Sequence, residues 1–521
     1  MTYTSSLQPR RSDVHPKQWG VAAPCSSESF KTQDSSSKPQ ALKWDHRLSI
    51  ESTSRTGSSL KNAFKYLQNP GMLSLGGGIP LSEYFPFENV GFDAKVLPAS
   101  GDSTPTTPAS AVLRTGKNDL SDGHSVFDLS VALNYGQGSG SAQLLRWITE
   151  HTEMVHNPPY ADWQCTMTIG NTSAMDMALR MFARSGDFVL SDNYTFVAAV
   201  ETAKPMGVNF LGVEMDEQGI VPSKLKELLD GWKPEEHSGS RKPFLLYLVP
   251  TGQNPTGSTQ SLERRQSIYQ VAQEHDLIIL EDDPYYFLQM DSPSATIDSV
   301  QTPEDLLRAI VPSYVRIDTD GRVVRMDSFS KVVSPGLRLG WITASEQIVN
   351  RYKTHADVST QGPSGLSQLG LFKLLDEHWG HSGYLSWLLH LRREYTQRRD
   401  NALEACSRYL PKDVASWEVP EAGMFIWVKV DWEKHPLAAS RTATEIEEEI
   451  WTKTIDQGAL VARGSWFFAT AGKACSEVFY RLTFAASSME QVNEATKRFG
   501  EALSASFQLK AEASERPMQR L

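Results

Sequence analysis

The sequence predicts an α/β protein built on a mostly parallel sheet that is flanked by helices. Short apolar runs without alternation occur at residues 188–190, 244–249 and 277–280, as is typical of strands buried on both faces. They alternate with helix-like segments such as residues 261–275. This order of elements favours parallel strands joined by helical connections.

Polar side chains follow three of the predicted strands. Asn254 and Asp282 come after two of the apolar runs, and Lys331 comes after a strand at residues 323–326. Ligands of open α/β sheets bind beyond the carboxyl ends of the strands. The sequence therefore predicts that these three residues share one site.

The segment 328–340 contains a single lysine, Lys331, among weakly polar residues, and Arg338 follows seven residues later. Desolvation by apolar neighbours lowers the pKa of a lysine and leaves a neutral amine that can form a Schiff base with an aldehyde. The planar fork of an arginine suits a phosphate. Together they predict a site for an aldehyde that carries a phosphate, as pyridoxal 5'-phosphate does.

Composition is typical of a globular enzyme with more than one domain, because 521 residues exceed what a single core usually covers. The net charge of −11 argues against a nucleic acid or an anionic membrane as the main partner. The four cysteines form no C-x-x-C pair, so we expect neither a metal site nor a disulfide framework. Without a membrane span or signal peptide, we expect a cytoplasmic protein.

The chain resembles the fold-type I pyridoxal-phosphate enzymes, and most closely the aromatic amino acid and 2-aminoadipate (kynurenine-type) aminotransferases, over residues 45–505. Besides the lysine segment, five motifs stand in the order of that family: LGGGIP at 75–80, QNPTG at 253–257, EDDPYY at 281–286, EAGMFIW at 421–427 and YRLTF at 480–484. The resemblance implies a large domain with a mostly parallel seven-stranded sheet and a smaller α+β C-terminal domain.

We divide the chain accordingly. Low apolar content predicts a disordered leader over residues 1–44. A mitochondrial presequence is the minority alternative, and the C-terminus only loosely matches a peroxisomal signal. A Ser/Thr/Pro/Gly/Asp-rich composition predicts a flexible insertion over residues 96–130. The remaining segments are an N-terminal arm with a substrate-covering stretch (45–95), a large domain (131–375), a small domain (376–508) and a tail (509–521).

The resemblance implies catalytic roles for Lys331, Asp282 and Tyr285 and a cofactor contact for Asn254. Lys331 would hold the cofactor as a Schiff base and move the substrate proton. Asp282 would pair with the pyridine nitrogen, while Tyr285 and Asn254 would contact the phenolic oxygen. In an alternative assignment Asp282 is a helix cap or a structural ion-pair member, and Asp283 is the functional carboxylate.

The phosphate is expected at Arg338, with help from the hydroxyl group of Ser328 or Ser330. The turn that contains Asn171 and Thr172 precedes a helix at residues 174–183, and the start of a helix also favours a phosphate. Phe196 resembles the aromatic residue that stacks on the cofactor ring, although Tyr194 competes for that position. Tyr135 resembles a tyrosine that related enzymes lend across a homodimer interface to the phosphate of the neighbouring subunit.

Substrate binding is assigned first to Arg481, for the α-carboxylate, because an arginine in a strand-like run needs an anionic partner. An ordinary salt bridge is the alternative for this arginine. Gly77 and Asn254 are further candidates for substrate contacts. Phe425 is another, although core packing is the more common role of such a residue.

The sequence thus predicts a pyridoxal-phosphate-dependent aminotransferase that acts by a ping-pong mechanism. The resemblance implies an aromatic L-amino acid as donor and 2-oxoglutarate as acceptor, with 2-aminoadipate, kynurenine or lysine as alternative donors. A decarboxylase or lyase on the same scaffold stays open. A cofactor-binding transcription regulator is disfavoured, because residues 1–45 are too short for a DNA-binding module.

Overall fold

The computed structural model of the protein describes residues 20–69, 71–95, 110–292, 300–470, 472 and 475–509. Its strands, in chain order, are β1 Asn89–Lys95, β2 Ser110–Gly116, β3 Trp163–Thr168, β4 Phe188–Asp192, β5 Asn209–Val213, β6 Met215–Asp216, β7 Gly219–Ile220, β8 Leu245–Leu248, β9 Ile278–Asp282, β10 Val323–Ser328, β11 Gly340–Ser345, β12 Ala415–Trp417, β13 Phe425–Val430, β14 Ala462–Arg463 and β15 Val478–Thr483.

The helices surround these strands. The α-helices are Ile50–Ser54, Ser59–Ala63, Leu129–Ala132, Ala142–Val155, Asn171–Phe182, Val197–Ala203, Pro222–Asp230, Leu262–Glu274, Pro303–Ala309, Tyr314–Ile317, Glu346–Ala356, Gly365–Phe372, Gly380–Tyr409, Ala443–Asp456 and Met489–Ser506. A π-helical segment, Lys373–Trp379, joins two of them, and short 3₁₀ helices include Ser27–Phe30, Pro335–Leu337 and Gly464–Phe467. No helix of the described residues has both the length and the apolar character needed to cross a membrane.

The large domain contains a seven-stranded sheet in the order β3-β11-β10-β9-β8-β4-β5. Only β11 runs antiparallel to its neighbours, and the other six strands are parallel. Every residue of β3, β8, β9, β10 and β11 is buried, which explains why these runs do not alternate between apolar and polar residues. The predicted mostly parallel sheet of seven strands is confirmed.

The small domain has its own antiparallel sheet, in the order β12-β13-β15-β14, and its own hydrophobic core. The long helix Gly380–Tyr409 belongs to both domains. Its first half places Tyr384 and Leu388 in the large core, and its second half places Ala402 and Cys406 in the small one. The predicted α+β C-terminal domain is therefore present, connected to the large domain by a continuous helix.

The expectation of a disordered leader over residues 1–44 is wrong for residues 20–44. Phe30 and Trp44 are buried in the core of the large domain. Ser27 accepts a hydrogen bond at 2.9 Å from the backbone N–H of Cys165 in β3. A segment of low apolar content cannot form a core of its own, but it can pack on a folded domain through a few buried side chains and hydrogen bonds. Residues 1–19 lie outside the described part of the chain.

The expected flexible insertion, residues 96–130, is also partly regular structure. Residues 110–116 form β2, which pairs antiparallel with β1 from Asn89↔Gly116 to Lys95↔Ser110. Phe127 and Leu129 are buried. Composition alone favoured a loop here, but pairing with a preceding strand satisfies the backbone groups and overrides it. Residues 96–109 lie outside the described residues.

Candidate active site

Three neighbouring strands of the large sheet end at the same edge and lead to the predicted site residues. β9 ends at Asp282, β10 is followed by Lys331, and the loop after β8 carries Asn254. Because β8, β9 and β10 are adjacent and parallel, their carboxyl ends form one side of a single site.

Lys331 lies half-buried in the loop between β10 and β11. Burial is the main cause that lowers its pKa, and the positive charges of Arg338 and Arg481 lower it further. Within the described residues no carboxylate opposes this shift. The environment of Lys331 therefore favours a neutral, nucleophilic amine.

Asp282 is only 5% exposed and is held by two neutral donors. Asn171 Nδ2 donates to its Oδ1 at 2.7 Å, and Tyr247 Oη donates to its Oδ2 at 2.7 Å. Burial raises the pKa of Asp282, while these two hydrogen bonds and the charge of Arg325 act in the opposite direction. No cation of the described residues pairs directly with this carboxylate.

Asp283 belongs to a different, fully buried network. Arg325 forms ion pairs with Glu281 at 2.8 Å, Asp283 at 3.2 Å and Asp327 at 2.7 Å. Adjacent residues of an extended segment point to opposite sides, so Asp282 and Asp283 have different partners. This geometry favours Asp282 over Asp283 as the carboxylate available to a ligand.

Arg481, on β15 of the small domain, reaches the loop after β8. Its Nη1 donates to Asn254 Oδ1 at 2.6 Å. Asn254 is in turn hydrogen-bonded to Tyr285, whose pKa is raised mainly by burial. Hydrogen bonds thus connect Arg481 of the small domain, a candidate for substrate binding, through Asn254 to Tyr285 of the large domain, a candidate for cofactor binding.

The guanidinium of Arg481 packs against two aromatic rings. Its central carbon is 4.4 Å from the ring centroid of Phe425 and 4.8 Å from that of Phe467. Burial lowers its pKa, and among the described residues no carboxylate pairs with it. A partly buried arginine without an anionic partner is suited to bind an anionic ligand. The salt-bridge alternative finds no partner here.

The other cationic group, Arg338, lies at the start of the helix Asn171–Phe182. A Cβ added to Gly170, just before this helix, would stand 2.5 Å from Arg338 Nη2, so the guanidinium occupies space that only glycine leaves open. Its hydrogen bonds go to the neutral oxygens of Ser330, Pro335 and Ile169. An arginine, a hydroxyl and a helix N-terminus thus converge, which is a favourable environment for a phosphate.

The hydroxyl candidates differ in their surroundings. Ser328 accepts a hydrogen bond from the backbone N–H of Ser330 at 3.0 Å, and Thr172 is exposed in the first turn of the helix. The side chain of Asn171 does not contact Arg338, because its amide donates to Asp282 and to the carbonyl of Met326 at 2.9 Å. The side chain of Asn171 thus has partners other than a phosphate, and the expected contribution of Asn171 to the phosphate site, through its backbone N–H at the start of the helix, stays a prediction.

Tyr194 and Phe196, the two candidates for stacking on a ring, have different environments. Tyr194 packs edge-on against Trp427 and Phe479, and its hydroxyl is 3.1 Å from Sγ of Cys475. Phe196 is half-buried at the start of the helix Val197–Ala203. Because Tyr194 packs against residues of the small domain, the geometry favours Phe196 as the residue that would stack on the cofactor ring.

Two predicted residues stand apart from this cluster within one chain. Tyr135 is 59% exposed, and Gly77 lies in an exposed segment where a Cβ would meet the ring of Phe64 at 3.0 Å. In the described structure, no hydrogen bond or ring contact joins either residue to the strand-end site.

Two residues of the cluster, Tyr247 and Phe467, were not among the predicted site residues. Tyr247 lies in the apolar run of β8 and was therefore assigned to the core. A useful signal was available, since a tyrosine in a fully buried strand needs a partner for its hydroxyl. Phe467 carried no signal, because its contact with Arg481 arises only when the 3₁₀ helix Gly464–Phe467 packs beside β15.

Comparison with known proteins agrees with this architecture. The chain matches the family described as aminotransferase class I and II over residues 111–499. It is 44% identical over 470 residues to an aromatic amino acid aminotransferase of Schizosaccharomyces pombe, covering 89% of this chain and 98% of the relative. It is 40% identical over 485 residues to the aminotransferase swnA of Arthroderma benhamiae, covering 92% and 94%.

A solved structure is also closely similar. The crystal structure of the aminotransferase Aro8 from Candida albicans superposes with a TM-score of 0.84 at 42% identity, covering 91% of this chain and 100% of that one. Because the family match spans most of the chain and these relatives align over almost their whole length, the chain belongs to the class I and II aminotransferase family.

Proposed function

We propose that this aminotransferase uses pyridoxal 5'-phosphate to move the amino group of an aromatic L-amino acid to a 2-oxo acid such as 2-oxoglutarate. The observation that carries the proposal is the set of three cationic side chains, Lys331, Arg338 and Arg481, without carboxylate partners among the described residues. The aromatic donor is supported by the name of the Schizosaccharomyces pombe relative.

The residues fit the cofactor at both of its ends. The guanidinium of Arg338 packs against Gly170 at the start of the helix Asn171–Phe182, and this pairing of a cation with a helix N-terminus suits the phosphate. The buried carboxylate of Asp282 suits a protonated ring nitrogen, and half-buried Phe196 suits the ring face. When bound, the cofactor supplies an aldehyde for amines and a ring that withdraws electrons from the substrate.

Lys331 provides the amine that attaches to the cofactor. Its lowered pKa increases the fraction of the neutral form near neutral pH. Nζ of Lys331 would be the group that takes the proton from the substrate Cα and returns one.

Asp282 would pair with the ring nitrogen of the cofactor and favour its protonated form, because a buried carboxylate stabilises a neighbouring positive charge. Asn254 and Tyr285, which are hydrogen-bonded to each other, are placed to contact the phenolic oxygen. These residues orient the cofactor and set its proton affinity, while Lys331 performs the proton transfer.

Arg481 binds the α-carboxylate of both the amino acid and the 2-oxo acid. Phe425 and Phe467 pack against its guanidinium, and one of its N–H groups donates to Asn254. These contacts position the guanidinium and leave its other N–H groups for a carboxylate. Substrate binding in this position joins the small domain to the large one.

We also propose a homodimer. Large apolar side chains are exposed along the N-terminal arm, with Leu73 91% exposed and Leu60, Leu75 and Tyr84 also exposed. Soluble monomers rarely expose so much apolar surface in one stretch. A second copy of the chain would cover it, and Tyr135 would then reach the neighbouring phosphate, as the family resemblance implies.

The test of the cofactor assignment is spectroscopic. Purified protein should absorb near the edge of the visible range, and Lys331→Ala should lose this band and the activity. Lys224→Ala, a change of an exposed lysine, is the matched control and should keep both. An unchanged spectrum and unchanged turnover in Lys331→Ala would refute the proposal.

The donor assignment is tested with a panel of amino acids. We expect phenylalanine, tyrosine and tryptophan to convert the bound cofactor to its amine form faster than 2-aminoadipate, kynurenine or lysine. The reverse order would leave the aminotransferase assignment intact but would overturn the aromatic donor. Continuous turnover without any added 2-oxo acid would indicate a decarboxylase, if the product is an amine, or a lyase, if ammonia is released.

A further inference from the structure

We propose that Tyr247 and Asn171 are positioning residues that hold the Asp282 carboxylate in the orientation in which it accepts the N–H of the cofactor ring. This inference rests on the proposed function, because it assumes that Asp282 pairs with the ring nitrogen. It goes beyond that function by assigning a role to Tyr247, which sequence analysis placed in the core, and a new role to the side chain of Asn171.

Two hydrogen bonds hold the carboxylate of Asp282. Each carboxylate oxygen accepts one short hydrogen bond, Oδ1 from Asn171 and Oδ2 from Tyr247, both at 2.7 Å. The two donors come from different elements, the start of a helix and the middle of β8. Two bonds from separate directions fix the plane of a carboxylate, which one bond would leave free to rotate.

The environment of Tyr247 keeps its hydroxyl group protonated. It is 0% exposed, and its ring packs edge-on against Phe210 with centroids 6.0 Å apart. Burial and the neighbouring charge of Asp282 raise the pKa of Tyr247 well above its ordinary value. The hydroxyl therefore keeps its proton and acts as a permanent donor to Asp282.

Asn171 links the helix start beside Arg338 to the carboxylate of Asp282. It is the first residue of the helix whose start lies against Arg338, and its amide donates both to Asp282 and to the carbonyl of Met326 in β10. The distance between phosphate and ring nitrogen in the cofactor is nearly constant. Asn171 therefore keeps the two binding groups, the helix start and Asp282, at a matching separation.

Both donors to Asp282 are neutral groups, and this suits a carboxylate that must pair with a cation. A buried carboxylate tends to take up a proton, and hydrogen bonds to its charged form oppose this. Both bonds act on Asp282 in that direction. A directly paired lysine or arginine would also keep it ionised, but would compete with the protonated ring nitrogen. Tyr247 and Asn171 keep the carboxylate charged and leave its charge available to the cofactor.

The test compares two ligands of the full-length protein after removal of its cofactor. One ligand is pyridoxal 5'-phosphate, and the other is its analogue in which the ring nitrogen is replaced by C–H. We expect Tyr247→Phe and Asn171→Ala each to weaken binding of pyridoxal phosphate by about tenfold, as expected for loss of a hydrogen bond to a charged group. Binding of the analogue should change much less, because it has no N–H for Asp282 to accept.

Tyr314→Phe is the matched control for Tyr247→Phe. Tyr314 is also 0% exposed, and its hydroxyl donates to Gln260 at 2.7 Å in the same domain. This control should leave the ratio of the two affinities unchanged. If Tyr247→Phe and Asn171→Ala weaken both ligands equally, or neither ligand, the two residues have only a structural role and the inference is overturned.

Asp282→Ala separates the inference from the function on which it rests. If Asp282→Ala leaves the affinity ratio unchanged, Asp282 is not the partner of the ring nitrogen and the proposed function fails at that point. If Asp282→Ala changes the ratio but Tyr247→Phe and Asn171→Ala do not, only the positioning role fails. In the Asp282→Ala background, Tyr247→Phe should cause no further change in the ratio. Should one variant fail to fold, the other decides the question.

Discussion

Arg481 Nη1 and Asn254 Oδ1 are 2.6 Å apart, and this hydrogen bond connects the small domain to the loop beyond β8 of the large sheet. Asn254 also bonds Tyr285, so one amide touches the proposed carboxylate-binding arginine and a proposed cofactor contact. A substrate carboxylate bound at Arg481, as proposed, would therefore act on the same residue that connects the two domains.

Arg481→Lys tests the substrate arginine. A lysine cannot present a planar fork or pack a planar group against Phe425 and Phe467, so we expect kcat/KM for both the amino acid and the 2-oxo acid to fall by roughly 100-fold. Cofactor affinity should stay within about twofold. Arg498→Lys, which changes a surface arginine paired with Glu494, should leave kcat/KM unchanged. An equal loss of cofactor affinity in Arg481→Lys would contradict the assignment.

Arg325→Met tests the buried network behind the site. Arg325, Glu281 and Asp283 are fully buried, so removal of the arginine leaves three carboxylates, including Asp327, without their cation. We expect a loss of about 3–5 kcal/mol, seen as a melting temperature lower by roughly 5–10 °C. Arg498→Met is the surface control. A melting temperature within about one degree of the parent would show that the network is not needed for stability.

Asp192→Asn tests whether the buried carboxyl group of Asp192 makes the stability of the folded protein depend on pH. Burial raises the pKa of Asp192 to about 7, so the folded state keeps a proton that the unfolded state releases at about pH 4. The parent protein therefore loses stability between about pH 4 and pH 7, whereas the neutral amide does not titrate. The melting temperature of Asp192→Asn should rise relative to the parent from about pH 5 to about pH 8.

Asp305→Asn is the control for this pH series. The pKa of Asp305 is lowered to about 2 by hydrogen bonds from Thr302 and Arg308, so its contribution is lost only below about pH 4. Its difference from the parent should be constant between about pH 5 and pH 8. A constant difference for Asp192→Asn as well would show that Asp192 does not titrate in this window.

Leu73→Glu tests the proposed dimer. A charge in place of an apolar side chain that is 91% exposed should leave the fold intact but place a charge in the interface between two copies. We expect a monomer by light scattering, together with weaker cofactor binding, because Tyr135 of the neighbouring subunit is then absent. Leu460→Glu, at an exposed leucine of the small domain that is 76% exposed, should remain a dimer.

Much of the site could be predicted from the sequence because its residues occupy locally recognisable positions. Asp282 and Lys331 follow apolar strands, and Arg481 lies in a strand where its charge requires a partner. Each of these inferences needs only a few neighbouring residues. The choice between Asp282 and Asp283 could not be made in this way, because it depends on Arg325 in the adjacent strand.

The sequence by itself determined the mostly parallel sheet and the polar residues that follow its strands, Asn254, Asp282 and Lys331, since these depend on short-range patterns. Tertiary structure alone decided that Tyr247 bonds Asp282, that Asn171 bonds Asp282 as well, and that residues 20–44 pack on the large domain. The physical reason is that a buried polar group takes whichever partner lies across the adjacent strand or helix, and this neighbour is distant in the chain.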